Sequence, residues 1–231
     1  MQYFFLFSLL KLSKMEKRFI LICSSLLLIF MCYTSVKAQD DTKKATRYGI
    51  KGGFNNTMLN AKGALSTKMI TTYSLGLFAK LPIINNIAIQ PEINYMPKGG
   101  EITYNGLLLN GTVQFNFRYL EVPLLIVVNI NDNFNIHAGP FAGILISSKV
   151  SNVLITNLFD FENNINKSDN NTLDAGFILG VGIDMGTITL GIRYNYGFTK
   201  VVKERSIQGT SYTIPDAHNS LISFYISLSL N

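Results

Sequence analysis

Apolar and polar residues alternate along most of the chain with a period of two. The stretch IAIQPEINYMPKGG, residues 87–100, has Ile89, Ile93 and Tyr95 on one side and Gln90 and Glu92 on the other. This period is that of an extended strand, whose successive side chains point to opposite faces. The apolar side would face a core in a soluble sheet and lipid in a membrane barrel, so the alternation alone leaves both structures open.

Eight segments with this alternation predict eight antiparallel strands. The segments are YGIKGGFNNTM (48–58), YSLGLFAKLP (73–82), IAIQPEINYMPKGG (87–100), YLEVPLLIVVNI (119–130), NIHAGPFAGILIS (135–147), LDAGFILGVGIDM (173–185), ITLGIRYNYGFTK (188–200) and NSLISFYISLSLN (219–231). Before Tyr119 the phase is reversed, because Phe117 falls on the polar side and Arg118 on the apolar side. A bulge near Arg118 and an aqueous barrel rim both explain this reversal.

The connections between these segments alternate between long and short. Such alternation is typical of an up-and-down membrane barrel, which has tight periplasmic turns and long outer loops. We therefore predict an all-β fold, an eight-stranded antiparallel up-and-down transmembrane β-barrel. The long connections are 59–72, 98–114, 149–172 and 201–218, and the short ones are 83–86, 131–133 and 186–187.

The polar side of the predicted strands is rich in Gly, Ser and Asn, which suits the narrow interior of an eight-stranded barrel. Enclosed charges must pair, so the charged residues on this side predict a structural polar network in the lumen. Its members are Lys51, Lys80, Glu92, Glu121, Asp174, Asp184 and Arg193. Five outward aromatic residues collect toward the long-loop end, as membrane-interface side chains do. They are Tyr73, Tyr95, Tyr194, Tyr196 and Phe198.

The N-terminal region predicts export. Residues 1–38 have the charged, apolar and small-residue parts of a cleavable signal peptide, with cleavage after Ala38. Residues 1–14 resemble an upstream extension, so that both Met1 and Met15 remain candidates for the start. The apolar run is shorter than the roughly 20 residues of a spanning helix, which argues against a membrane anchor. We assign 39–47 to a periplasmic lead-in and 48–231 to an outer-membrane barrel domain.

Composition removes several function classes. Both cysteines, Cys23 and Cys32, lie in the predicted leader, so the mature chain is expected to lack disulfides and thiolate metal sites. The formal charge is +6, but five basic residues against Glu16 in the first 38 residues account for +4 of it. The remaining charge does not indicate binding to nucleic acid.

These segments resemble the PorT-type outer-membrane β-barrel proteins. The resemblance implies an eight-stranded barrel in a bacterial outer membrane, inserted by the barrel assembly machinery, without an assigned reaction. One relative belongs to a protein-secretion and gliding apparatus. The similar segments cover nearly the whole mature chain and occur in the same order as in the family: YGIKGGFNNT, IQPEINYMPKGG, RYLEVPLL, HAGPFAGILIS, GFILGVGIDM and LGIRYNYGFT.

Catalytic arrangements are weaker interpretations than structural ones. Glu92 and Glu121 lie on neighbouring strands and could form an acid–base pair, but lumen ion pairs explain them better. His218 lies near Ser211 and Asp216, which leaves a lipid-acting hydrolase at the outer rim as an alternative. His137 is predicted in the lumen without a nearby serine.

The sequence therefore predicts a non-enzymatic outer-membrane barrel with a side-chain-filled lumen and long outer loops. Its expected role is envelope structure, adhesion or support of a secretion complex. We expect no catalytic residues, cofactor or metal. The expected partners are outer-membrane lipid, the assembly machinery and envelope or secretion-complex proteins. The alternatives are an outer-membrane lipid-modifying hydrolase and a soluble secreted barrel that binds a ligand.

Overall fold

The computed structural model describes residues 45–61, 66–105, 110–154, 172–201, 205–207, 210–212 and 217–230. The predicted signal peptide lies outside the described residues. The described part of the chain contains no helix long and apolar enough to cross a bilayer. It forms strands β1 (Arg47–Ala61), β2 (Ser66–Lys68), β3 (Ile70–Ile84), β4 (Ile87–Asn105), β5 (Asn110–Asn129), β6 (Phe134–Leu154), β7 (Leu173–Met185), β8 (Ile188–Lys200), β9 (Arg205–Ile207), β10 (Thr210–Tyr212) and β11 (Ala217–Ser229).

Eight of these strands close into an antiparallel barrel, as predicted. Strands β1, β3 to β8 and β11 each pair with the next one in that order, and β11 pairs with β1 to complete the ring. The closing ladder joins β1 to β11 from Gly49 opposite Ser229 to Ala61 opposite Ala217. Closure leaves none of these eight strands as a bare edge over the shared height of the barrel. Short β2 pairs with the far end of β4, and β9 pairs with β10.

Antiparallel pairing of strands in chain order confirms the predicted up-and-down order, although the connection 106–109 between β4 and β5 has the same length as the turn 130–133 and departs from the expected alternation. Short turns at 85–86, 130–133 and 186–187 lie at one end of the barrel, which we call the short-turn end. Gly186 has a φ of 68°, a left-handed conformation that glycine adopts without steric cost. The other connections lie at the opposite, long-loop end.

Strands β4, β5 and β6 extend farther toward the long-loop end than predicted. The expected loop 98–114 was wrong, because β4 continues to Asn105 and β5 begins at Asn110. Likewise, β6 continues to Leu154, into the loop expected from residue 149. Paired residues such as Thr103 and Thr112 keep the ladder intact there without apolar alternation. Backbone hydrogen bonds hold these extensions together, and the apolar pattern does not mark them.

The phase reversal before Tyr119 now has a structural description. Strand β5 keeps strict alternation, with Phe117 and Tyr119 buried and Arg118 and Leu120 exposed. The pairing of β5 with β6 shifts between Arg118 and Tyr119, which leaves Ile146 as an extra residue of β6. The aqueous rim therefore explains the reversal, because Arg118 lies outward beyond the apolar band. The bulge is on β6 and does not change the alternation of β5.

The barrel is apolar outside and mainly polar inside. Outward side chains such as Leu75 and Phe198 are 65% and 63% exposed, whereas charged side chains fill much of the interior. Two apolar clusters complete the interior packing. One contains Leu125, Phe141 and Ile178, and the other contains Leu59, Phe117, Tyr119, Leu145 and Val201.

Candidate functional site

The interior charges form three groups, and the first lies at the short-turn end. Lys80 Nζ is 3.3 Å from Asp184 Oδ2 and donates a hydrogen bond to Asn129 Oδ1 at 3.0 Å. Asp184 also accepts hydrogen bonds from Thr189 Oγ1 at 2.5 Å and Asn135 Nδ2 at 3.0 Å. Lys80 is half-buried and Asp184 is buried, so this group lies at the mouth of the barrel, where part of it stays in contact with solvent.

The middle group surrounds the carboxylate of Glu92. Arg193 donates to both of its oxygens, from Nη1 at 2.8 Å and from Nη2 at 2.9 Å, and Lys51 forms a second ion pair with it. Gln90 Nε2 and Asn94 Nδ2 add hydrogen bonds of 2.7 and 3.0 Å. This bidentate geometry is the strongest arrangement for an arginine and a carboxylate. Five donors therefore compensate the burial of a single negative charge.

His137 and Tyr225 complete the middle group. Arg193 Nε donates to His137 Nε2 at 2.8 Å, so His137 Nδ1 carries the proton and donates to Asn135 Oδ1 at 3.0 Å. The Tyr225 ring lies 4.5 Å from Arg193 Cζ and 5.1 Å from Lys51 Nζ, within the range of cation–π contacts. Since both ring nitrogens of His137 are engaged, this histidine serves as a fixed hydrogen-bonding bridge.

The third group lies toward the long-loop end and is centred on Lys98, which sequence reasoning missed. Lys98 Nζ is 2.6 Å from Glu121 Oε2 and 3.1 Å from Asp174 Oδ2. Asp174 also accepts hydrogen bonds from Asn219 Nδ2 and Thr199 Oγ1. The signal was present, because alternation continued from Glu92 puts Lys98 on the inward side. The expectation of a loop beginning at that residue hid it.

The three groups neutralise one another. The middle group has two cations and one carboxylate, the long-loop group has one cation and two carboxylates, and the short-turn group has one of each. The four named cations thus balance the four named carboxylates, and Lys98 is the residue that makes the balance complete. Such compensation is what charges enclosed in a low-dielectric interior require.

Glycines make room for these large side chains. A Cβ at Gly191 would overlap the Tyr225 ring, and one at Gly180 would overlap His137 and the Ile192 carbonyl oxygen. On the outward side, a Cβ at Gly52 would meet nothing within 4 Å. The inward glycines therefore have a packing role that Gly52 does not share.

The structure locates every predicted site residue. Of the seven predicted lumen residues, six are buried inside the barrel, and Lys80 is half-buried at its mouth. Four of the five aromatic residues are exposed on the outward face. Tyr196 is half-buried, because its ring lies 5.8 Å from that of Phe198 and 6.3 Å from that of His218. Their role at a membrane interface stays a prediction.

The described residues do not form the acid–base pair of Glu92 and Glu121 considered above. Glu92 and Glu121 are held by different cations and are at most 2% exposed, so neither faces an open cleft. The side chains of Ser211 and Asp216, proposed as partners of His218, lie outside the described residues. Among the residues that the structure describes, no three His, Cys, Asp or Glu side chains cluster as metal ligands would.

A family comparison agrees with this architecture. The family model described as "Outer membrane protein beta-barrel domain" matches residues 37–203. No curated protein matches the chain. Similar solved structures include Ail, the attachment invasion locus protein of Yersinia pestis (11% identity, 81% of this chain and 100% of that one, TM-score 0.44). Neisserial surface protein A is 11% identical, with 81% of this chain and 100% of that one covered and a TM-score of 0.45. OprG from Pseudomonas aeruginosa is 12% identical, with 80% of this chain and 94% of that one covered and a TM-score of 0.38.

Proposed function

Since the chain belongs to the outer membrane protein beta-barrel domain family and is an integral protein of the bacterial outer membrane, we propose that it is a non-enzymatic, non-conducting barrel. In this proposal, the barrel is a rigid membrane anchor that presents the extended ends of β4, β5 and β6 outside the membrane. The same localisation argues against the soluble ligand-binding barrel. We assign the long-loop end to contacts with envelope or secretion-complex proteins.

The observation that carries this proposal is the packing of the lumen. The ion-pair groups of Lys80, Glu92 and Lys98 follow one another from the short-turn end toward the long-loop end. The buried side chains of Phe117 and Tyr119 add apolar packing on the long-loop side. An eight-stranded barrel has an interior just wide enough for side chains to fill. Ion pairs that are joined by hydrogen bonds to neighbouring side chains hold such a filling in place, which supports an anchor better than a channel.

Conductance measurements test the closed lumen. We expect the wild-type protein in planar lipid bilayers to show no steady ion current. A variant with both Glu92→Ala and Arg193→Ala removes the bidentate pair from the middle group and should conduct more than wild type. A steady current through the wild-type barrel would contradict the proposal.

The PorT-type resemblance supports a role in envelope structure, adhesion or support of a secretion complex, with the barrel assembly machinery as partner during insertion. A photo-crosslinking amino acid at Gln114, on the extended part of β5, tests the interaction surface in growing cells. Asn85, in a short turn at the opposite end, is the matched control position. We expect an envelope protein to crosslink from Gln114. Crosslinks from Asn85 alone would place the contacts at the short-turn end and contradict the proposal.

The enzymatic alternative concerns lipid modification at the outer rim, where His218 lies. Lipid A from a deletion strain, analysed by mass spectrometry, separates the two functions. We expect an unchanged lipid A profile. A profile that changes on deletion and returns with the wild-type gene, but not with a His218→Ala variant, would replace the anchor proposal with an enzyme.

A further inference from the structure

The outward face of β5 and β6 has two basic residues close together at the long-loop end. Arg118 on β5 pairs with Ser147 on β6, and Asn116 pairs with Lys149. Arg118 and Lys149 are therefore diagonal neighbours on the same face, about 7–8 Å apart at the backbone for such pairs. Arg118 is exposed and Lys149 is partly exposed, so both side chains can reach the surroundings of the barrel.

The bulge on β6 places Lys149 on this face. In regular pairing beyond Tyr119 and Leu145, Arg118 would lie opposite Ile146, and Asn116 would lie opposite Ser148. The extra residue shifts the pairing by one position, so that Lys149 lies outward and Ser148 is buried inward. Bulges commonly re-aim a side chain in this way. The register shift thus has a chemical result, a second cation beside Arg118.

The basic pair lies directly beyond the apolar band. Arg118 is 11 residues from Asn129, at the short-turn end of β5, and a membrane-spanning strand needs about 9–11 residues. Toward the band, the next outward side chains are Tyr95, Leu120 and Ile146, each about two-fifths exposed. Tyr95 is paired with Leu120, so they form a continuous apolar surface under the two cations.

Among the residues that the structure describes, the charge of this rim is positive on balance. Farther from the band, Glu101 pairs with Lys68 and also with Gln114 on the same outward face. One carboxylate therefore accompanies three basic side chains, those of Lys68, Arg118 and Lys149. Basic clusters at a membrane surface attract anionic lipid headgroups, and arginine binds phosphate by two hydrogen bonds at once.

We propose that this rim, formed by Tyr95, Arg118, Leu120, Ile146 and Lys149, binds a phosphate-bearing lipid of the outer membrane. Arg118 and Lys149 contact the phosphate, while Tyr95, Leu120 and Ile146 contact the acyl chains. The site requires only the membrane localisation and is independent of whether the lumen conducts or which protein partner the long-loop end has. It assigns a ligand to a surface that the lumen network does not use.

Native mass spectrometry of the folded protein in detergent tests the site. The probe is bisphosphorylated lipid A, compared with the same lipid after removal of its phosphates. We expect wild type to bind the phosphorylated form more tightly than the dephosphorylated form. The double variant R118Q and K149Q should bind the phosphorylated form with an affinity about 10-fold lower than that of wild type. Arg118→Lys keeps a cation and should retain most of the binding.

A matched control uses a basic residue at the other end of the barrel. Arg47 is exposed at the start of β1, and its Nη1 donates to the carbonyl oxygen of Gly186 at 3.3 Å. Arg47→Gln removes one exposed cation and should leave lipid binding unchanged. Equal binding of the phosphorylated and dephosphorylated lipids would overturn the proposal, as would an equal loss in the R47Q variant. Retained folding of each variant is checked by its gel mobility with and without boiling.

Discussion

Neighbouring residues of the same strand have opposite environments in this barrel. On β8, Ile192 and Tyr194 are each 46% exposed, whereas Arg193 between them is 4% exposed. In a water-soluble sheet, the arginine would face the solvent and the isoleucine the core. The inward face of the barrel is thus stabilised by pairing of charges, and the outward face by transfer of apolar groups into lipid.

The two faces therefore tolerate different substitutions. An inward position depends on the size and charge of particular partners across the lumen, because those partners compensate the burial of its polar groups. An outward position depends mainly on its depth in the membrane, because it faces lipid. The following substitutions test this contrast, from the largest expected effect to the smallest.

Glu92→Gln should cost the most, about 3–5 kcal/mol in the free energy of unfolding. The substitution keeps the size of the side chain but leaves Arg193 and Lys51 as buried cations without their shared carboxylate. Because the chain has no tryptophan, urea unfolding in detergent is followed by circular dichroism. A loss below about 1 kcal/mol would mean that water reaches the middle group.

Leu179→Arg introduces a charge on the outward face, about halfway along β7, and should cost about 2–4 kcal/mol. Ile188→Arg is the matched control at the start of β8, near the membrane surface, where the cost should be about 0–1 kcal/mol. The same unfolding experiment is carried out in lipid bilayers. Equal costs at the two depths would contradict the assignment of this face to lipid.

Gly191→Ala adds one methyl group where the Tyr225 ring already lies, and we expect a loss of about 1–3 kcal/mol. Gly52→Ala adds the same group on the outward side, where it meets nothing, and should change stability by less than about 0.5 kcal/mol. Unfolding midpoints of the two variants measure the difference. A larger loss for the G52A variant would reverse the assignment of the faces.

Lys80→Gln should have the smallest effect among the substitutions of inward side chains, about 0–1 kcal/mol. Its ion pair with Asp184 lies at the barrel mouth, where side-chain exposures of 15% and 11% allow solvent to screen the charges. Raising the salt concentration should reduce the difference from wild type further. A loss as large as that of the E92Q variant would show that the mouth is as dry as the middle of the lumen.

The number and order of the strands could be predicted from the sequence because two environments impose them. Lipid outside and a closed lumen inside require a period of two in every spanning segment, and short turns such as 186–187 separate the segments clearly. The seven charges predicted inward, among them Glu92 and Arg193, follow from the same period. Their inward orientation could be predicted without knowing which strand lies across the lumen.

The extensions of β4, β5 and β6 could not be predicted, because beyond the membrane both faces of a strand can be polar. Lys98, Gly99 and Gly100 have the composition of a loop, yet all three are buried within paired strands. Lys98 was missed for this reason. Backbone hydrogen bonds between strands maintain the structure there, and the alternation of apolar and polar residues in the sequence does not reveal such bonds.

The ion-pair partners also required the structure. Glu92 and Arg193 are 101 residues apart, and their contact depends on the stagger of strands around the ring. On neighbouring strands, Glu92 and Glu121 suggested a carboxylate pair, but each has cations from elsewhere in the barrel. Contacts across a lumen depend on tilt and register, which alternation does not encode.

The closing ladder has a consequence for the order of assembly. Gly49 pairs with Ser229, 180 residues later, so the first strand must wait until the last one has been synthesised. Until then β1 and β8, the two strands that pair with β11, expose unpaired backbone groups, which favour association with other chains. Contacts between residues so distant in the chain form slowly. A chain truncated before β11 would therefore have two unpaired edge strands and no enclosed interior, so β11 is required before the barrel can close.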